Sequence, residues 1–241
     1  MKNLIIKEIS SFFSSLAAYI VIAVFLLANG LFLWVIPGGD NILDSGYADM
    51  SAFFNIAPNL FLFLIPAICM RLFAEERKTG TLDLLLTRPL SSLKIVLAKY
   101  FAALILVFVA ILPSFIYFFS LYQLASPIGN IDIGSILGSY VGLAFLSSIF
   151  VALSLFASSL SENQIVSFII GIVLCFLLYS GFDFISSLPI LYDFENEVKY
   201  FGISSHYLPM SRGLVDTRDI IWFVVVSALF VSFTKTRIEK L

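Results

Sequence analysis

Six apolar blocks, at about 16–36, 53–71, 98–122, 135–158, 164–182 and 219–234, divide the sequence, and their central parts hold no Asp, Glu, Lys or Arg. Block length decides the fold class. An α-helix rises about 1.5 Å per residue, so about 20 apolar residues cross the roughly 30 Å of bilayer hydrocarbon. In lipid every backbone N–H and C=O must find a partner within the protein, because no water is there to replace it. The blocks therefore read as six transmembrane helices of an all-α integral membrane protein, with residues 1–241 as a single membrane domain. Composition points the same way: 60% of the 241 residues are hydrophobic and 12% are charged. Soluble domains average about 45–50% and 25%.

The segments between the blocks carry the remaining pattern. Ile5, Ile9, Phe12, Phe13 and Leu16 recur at helical spacing, while Lys7, Ser10, Ser11 and Ser14 take other faces. That suits an amphipathic N-terminal helix in the membrane interface, or a plain extension of the first span. The run from Leu16 to Ile36 is too long for the apolar core of a signal peptide and reads as a retained span. Residues 183–218 are polar but interrupted by Leu188, Pro189, Ile190 and Leu191, then by Phe201, Ile203, Tyr207, Leu208 and Met210. Short interfacial or re-entrant helices are expected there.

Charge placement orients the spans. Six crossings put both termini on one side, which then carries Lys2, Lys7, Arg71, Arg77, Lys78, Arg88, Lys94, Lys99, Lys235, Arg237 and Lys240, eleven of the 14 basic residues. The other side keeps Lys199, Arg212 and Arg218. Basic residues collect on the cytoplasmic side, so the termini and the 71–99 loop are expected there and 183–218 outside.

Several function classes are disfavoured. Spans without ionisable residues weigh against a proton- or sodium-driven carrier, although backbone carbonyls can also hold sodium. No G-x-x-x-x-G-K-[ST] phosphate loop is present, so ATP hydrolysis needs another chain. His206 is the only histidine. Cys69 and Cys175, both within apolar blocks, read as small buried hydrophobes. No metal site, bound cofactor, catalytic site or nucleic-acid partner is expected.

Polar residues within the spans admit two readings. Asn29 lies in the first span, Asn55, Pro58, Asn59 and Pro66 in the second, Pro113 in the third and Gly171 in the fifth. They serve interhelix packing, since buried amides need partners and prolines free a carbonyl. Alternatively the second span lines a translocation path, with Asn55 and Asn59 on one face by their i, i+4 spacing and Asn29 as a further candidate.

The loop after the second span is the most informative segment. It reads Glu75-Glu76-Arg77-Lys78-Thr79-Gly80-Thr81-Leu82-Asp83-Leu84-Leu85-Leu86-Thr87-Arg88-Pro89-Leu90-Ser91. Gly80 permits a sharp turn, Thr79 or Thr81 can N-cap a short helix, and Asp83 suits its positive end. Leu82, Leu85 and Leu86 give it an apolar face, Pro89 ends it, and Ser91 or Ser92 caps the helix of the third span. The result is either a docking knob with exposed leucines or a structural turn whose leucines dip into lipid.

This run closely resembles the coupling-helix loop of ABC-2 type permeases, the membrane subunits of one large class of ATP-binding-cassette transporters. The shared features are the acidic pair Glu75-Glu76, Arg77, Gly80-Thr81, Asp83, the leucine run, and Pro89 followed by an aliphatic residue and Ser. A second stretch, His206-Tyr207 and then Ser211-Arg212-Gly213-Leu214-Val215-Asp216-Thr217-Arg218-Asp219, resembles gliding-motility permeases of the GldF type. Copper-enzyme maturation permeases of the NosY type share a similar segment. From the residues alone, Arg212, Asp216, Arg218 and Asp219 can pair and anchor the last span, or touch a substrate.

The resemblance implies a non-catalytic permease subunit in a bacterial inner membrane. It implies a GldA-like ATPase that binds ATP and magnesium, a second permease unit, identical or paralogous, and a GldG-like membrane partner. ATP-driven closure would move the 79–90 helix, with the second and third spans transmitting the shift as rods. An energy-independent channel or scaffold remains the alternative, and the substrate is left open.

Overall fold

A computed structural model describes residues 1–87, 91–189 and 194–240, and every regular element among them is helical. Arg88, Pro89, Leu90, Ile190 and Leu191 lie outside the described residues. Helix α1 (Lys2–Phe13) and helix α2 (Leu16–Trp34) break at Ser14-Ser15 and differ in direction by 68°. A short helix α3 (Ile42–Ser45) precedes α4 (Ser51–Lys78), and Gly80 separates α4 from α5 (Thr81–Leu86). Helix α6 (Ser92–Ile111) passes through a 3-10 turn at Leu112–Ser114 into α7 (Phe115–Leu124). The turn falls on Pro113, which lacks the N–H that an α-helix needs. Helix α8 (Ile133–Leu160) is unbroken. Helix α9 (Gln164–Phe176) widens into a π turn at Leu177–Gly181 and continues as α10 (Phe182–Ser186). Short helices α11 (Glu195–Tyr200) and α12 (Ile203–Met210) lead to α13 (Thr217–Ile238).

Five of these runs are long and apolar enough to cross a membrane, and α1 with α2 makes six if the bent pair counts as one span. The helices overrun the apolar blocks. Helix α4 continues to Lys78 and α13 to Ile238, each with two basic residues in its last turn, where they offset the negative end of the helix dipole. At 28 residues, α4 is about 42 Å long. It therefore projects past the hydrocarbon, and α5 stands beyond it.

Helix α8 is the centre of the bundle. Its most apolar stretch is 72% buried, against 22% for those of the α9–α10 run and α13. Small residues let neighbours approach it closely. A Cβ on Gly142 would stand 2.6 Å from Met210 Cβ, and one on Gly138 would stand 2.6 Å from the Gly213 carbonyl oxygen. Gly213 has φ +83°, and a side chain there would meet Ser135 Cα at 2.4 Å. Ser135 and Ser139 hydroxyls then donate to the carbonyls of Arg212 and Ser211, both at 2.9 Å. The segment after α12 is thus laid directly on α8.

The prolines of α4 are absorbed locally. Gly171 of α9 leaves room for Pro66, whose Cβ would be 3.1 Å from an added methyl. Pro58 has no N–H to give the Phe54 carbonyl. The buried Tyr207 of α12 supplies the missing donor, its hydroxyl 2.7 Å from Phe54 O. Burial holds this phenol well above its ordinary pKa, so it stays protonated and donates.

Tyr207→Phe should therefore leave the Phe54 carbonyl unpaired, at a cost of about 1–3 kcal/mol. That loss would register as a lower apparent melting temperature of the detergent-purified protein. Adding Pro58→Ala should recover part of it by restoring the N–H within α4. Equal melting temperatures for Tyr207→Phe and the wild type would show that the contact contributes nothing.

Candidate functional site

Helix α4 ends where Thr79 gives way to Gly80, which sits at φ +69° as the N-cap of α5. A left-handed residue turns the chain in one step, and glycine does so without a Cβ penalty. Neither threonine caps α5. The Thr79 hydroxyl donates to Glu75 O at 2.9 Å, and the Thr81 hydroxyl lies 2.9 Å from that of Thr79 and 3.4 Å from Glu76 O. The threonines close the C-terminus of α4 instead, because its last carbonyls have no helical donors. Ser91 holds the N-cap position of α6, but its side chain makes no capping bond.

The leucines of α5 divide in a way the sequence pattern does not give. Leu82 is buried and Leu85 half-buried against the core, so the apolar face turns to the bundle. The leucine that projects is Leu84, 66% exposed, beside exposed Thr81 and Asp83. Leu86 is the last residue of α5, and Pro89 lies outside the described residues. Among the described leucines of α5, Leu84 protrudes from a helix that Leu82 and Leu85 anchor, an arrangement between the two readings of the sequence.

Of the charged residues before Gly80, Glu75, Glu76 and Arg77 are held by partners, while Lys78 is exposed. Lys99 of α6 is fully buried, its Nζ 3.1 Å from Glu8 Oε1 of α1 and 2.9 Å from Glu76 Oε2 of α4. The second is an ion contact rather than an aligned hydrogen bond. Lys7 approaches Glu76 at 3.3 Å and Glu8 at 3.4 Å, and Phe73 lies under the Lys99 ammonium with its centroid at 5.2 Å. One cation thus joins three helices. Glu75 pairs with Arg71 at 3.3 Å, and Arg71 also reaches the Ser15 hydroxyl between α1 and α2. Arg77 donates to Ser159 O at 2.8 Å and to Glu162 at 3.2 Å, which ties α4 to the end of α8 and the turn after it. The Ser158 hydroxyl accepts from Phe73 N and Ala74 N and donates to Met70 O, so α8 is inserted into the backbone ladder of α4.

The other sequence candidates lie apart from this end. Asn55 and Asn59 share one exposed face of α4, with Asn59 Nδ2 donating to Asn55 O at 3.1 Å. Asn29 is fully buried in α2 and donates to Phe25 O, so it does not join that face. At the opposite end, Asp219 lies 2.7 Å from His206 Nδ1, while His206 Nε2 donates to Tyr200 O at 2.8 Å and the ring stacks on Trp222. Asp216 caps α13 through Arg218 N, and Gly213 supplies the close approach to α8. Among the described residues, Arg212 and Arg218 form no ion pair. The expected pairing of the four charges is therefore replaced by a His206–Asp219 clasp and a helix cap. No group of three or more His, Cys, Asp and Glu among the described residues is placed to hold a metal ion.

Sequence reasoning missed Glu8, Lys99, Ser158 and Leu84. Lys99 carried a signal: it falls on the same helical face as Ile95, Ala102, Ala103 and Leu106, which are all buried. A lysine on that face must meet a carboxylate. Glu8, the one acid in the N-terminal helix, was its counterpart. Leu84 and Ser158 needed the fold, because periodicity does not say which side of a six-residue helix is covered.

A protein-family model described as an ABC-2 family transporter protein matches residues 11–178. No curated protein matches the chain.

Removing one member of the buried cluster strands the others. Lys99→Met should destabilise the protein by about 3–5 kcal/mol, read from thermal melting in detergent. The triple change Lys99→Met, Glu8→Gln, Glu76→Gln should restore much of that loss. A single substitution no worse than the triple would show the three charges to be independent.

Proposed function

The chain belongs to the ABC-2 family of transporter proteins, and from that premise we propose that α5 is the coupling helix through which a separate ATPase drives it. The chain is a multi-pass membrane protein and an ABC transporter permease subunit. Such subunits are typically non-catalytic and work with an ATPase. The observation that carries the coupling reading is the division of α5: Leu82 and Leu85 hold it to the bundle, and Leu84 projects. A helix fixed on its apolar face and presenting a single leucine between polar residues on the other is suited to transmit a push. The ties from Glu76 and Arg77 spread that push to α1, α6 and α8.

The proposal puts the α5 end and both termini in the cytoplasm of a bacterial inner membrane, supported by the eleven basic residues assigned to that side. ATP and magnesium would be bound by the partner. A second permease unit would complete a path, and the exposed face of Asn55 and Asn59 supports α4 as one of its walls. Residues 1–241 would act as one membrane domain. The subfamily reading, a GldF-type gliding-motility permease with GldA-like and GldG-like partners, rests on residues 206–219, which lie beyond the matched 11–178, and on the short outer loops.

The test is ATPase stimulation in proteoliposomes containing the permease and its ATPase. Leu84→Asp, on an exposed site, should lower stimulation about tenfold or more while membrane insertion and melting stay unchanged. Gly80→Val, which forces a branched residue into the left-handed region, should do the same by re-aiming α5. If both variants stimulate as the wild type does, docking at α5 is wrong.

A further inference from the structure

On the flank of the bundle, α6, α8 and α13 leave a groove of about 530 Å³. Its walls are hydrocarbon: Leu97, Leu104 and Phe108 from α6, Ala144 from α8, and Val224 and Ala228 from α13. The polar groups at its floor are occupied among themselves. The Tyr100 hydroxyl donates to Ser148 O at 3.3 Å, and the Ser148 and Ser227 hydroxyls lie 3.3 Å apart. From Leu93 to Phe108 the groove follows α6 for about 22 Å, longer than the roughly 15 Å depth of one leaflet. A flexible acyl chain lying along the groove would cover these apolar walls.

The charges at one end select the headgroup. Helices α6 and α13 run antiparallel, with Tyr100 and Ser227 level through Ser148. Lys94 lies six residues before Tyr100, and Lys235 eight residues after Ser227. Both therefore stand toward the α5 end, about 9 and 12 Å along the axes from that level. Lys94 is one turn before the lining residue Leu97, and Lys235 one turn after the lining residue Val231. Lys94 is exposed and has no ion pair among the described residues. Lys235 has only Glu239, at 3.6 Å on a half-exposed surface, a pairing that leaves most of its charge available to a stronger anion.

We propose that this groove binds an anionic phospholipid, with one acyl chain along α6 and α13 and its phosphate between Lys94 and Lys235. The lipid belongs to the leaflet that borders the α5 end. It forms a wall joining the third and last spans where the protein leaves them apart. The site is independent of the coupling role of α5 and stands if that role fails.

The experiment is native mass spectrometry of the full chain released from nanodiscs holding equal phosphatidylglycerol and phosphatidylcholine. The wild type should retain phosphatidylglycerol, and 10 mM inorganic phosphate should not displace it, because the acyl chain supplies the hold. Lys94→Gln with Lys235→Gln, both outside the core, should lower the preference for phosphatidylglycerol about thirtyfold, as two juxtamembrane lysines contribute. Ala228→Phe, which fills the groove with both lysines intact, should lower total retained lipid of either kind. Unchanged preference in the lysine variant overturns the headgroup assignment. Unchanged retention in Ala228→Phe overturns the groove. Displacement by phosphate alone, or cysteine cross-linking of Val224 to a second copy or another helix, also overturns the proposal, because the occupant is then not a lipid.

Discussion

A polar group buried away from water needs its partner within the protein, and this constraint organises both ends of the bundle. The Phe54 carbonyl freed by Pro58 is met by Tyr207. The Ser158 hydroxyl is satisfied by entering the backbone of α4 rather than its own helix. Lys99 enters the bundle only because Glu8 and Glu76 converge on it from two other helices. Each solution is long-range in sequence. Together they fasten α1, α4, α6, α8 and α12 more specifically than apolar packing does, since lipid tails compete with packing but not with hydrogen bonds.

The same constraint explains how the charged loop is used. In water the Glu75-Glu76-Arg77 run would be a solvated helix end. Here Glu75 pairs with Arg71 of the same helix, while Glu76 and Arg77 turn to neighbouring helices, to Lys99 and to the Ser159 carbonyl. Among the described residues, Lys78 to Thr81, Asp83, Leu84 and Thr87 remain exposed. The motif thus separates into an inward part that makes the end of α4 rigid and an exposed turn and helix face around Gly80 and Leu84. Buried charge is a costly way to stabilise a fold, and apolar replacements often do as well. Its advantage is direction: a carboxylate pair around one ammonium allows few alternative arrangements of three helices.

Much of this architecture was legible in the sequence because block length and bilayer thickness are tied by helix rise. The helical fold class, the presence of short helices between the last two spans and the turn at Gly80 followed from period and turn chemistry, while the N-terminal segment admitted both a break and a plain extension of the first span. The overruns of α4 and α13 did not, since a helix already formed continues through polar residues until a stop such as Gly80. The facing of α5 was not legible either. In six residues Leu82, Leu84 and Leu85 sample both sides, and only the position of the bundle decides which is covered. The charges at 212–219 were read as partners because they are neighbours in sequence, whereas Asp219 found His206 from the preceding helix.

Helix α4 carries the Glu76 cluster near one end and the Tyr207 latch near the other, about 33 Å apart by helix rise. If α4 moves as one rod, a ligand that favoured one arrangement of the α12 cap would change affinity at the α5 face by the same factor that α5 occupancy would change its own, because linkage is reciprocal. Under the coupling reading, each end of α4 would then report on the occupancy of the other.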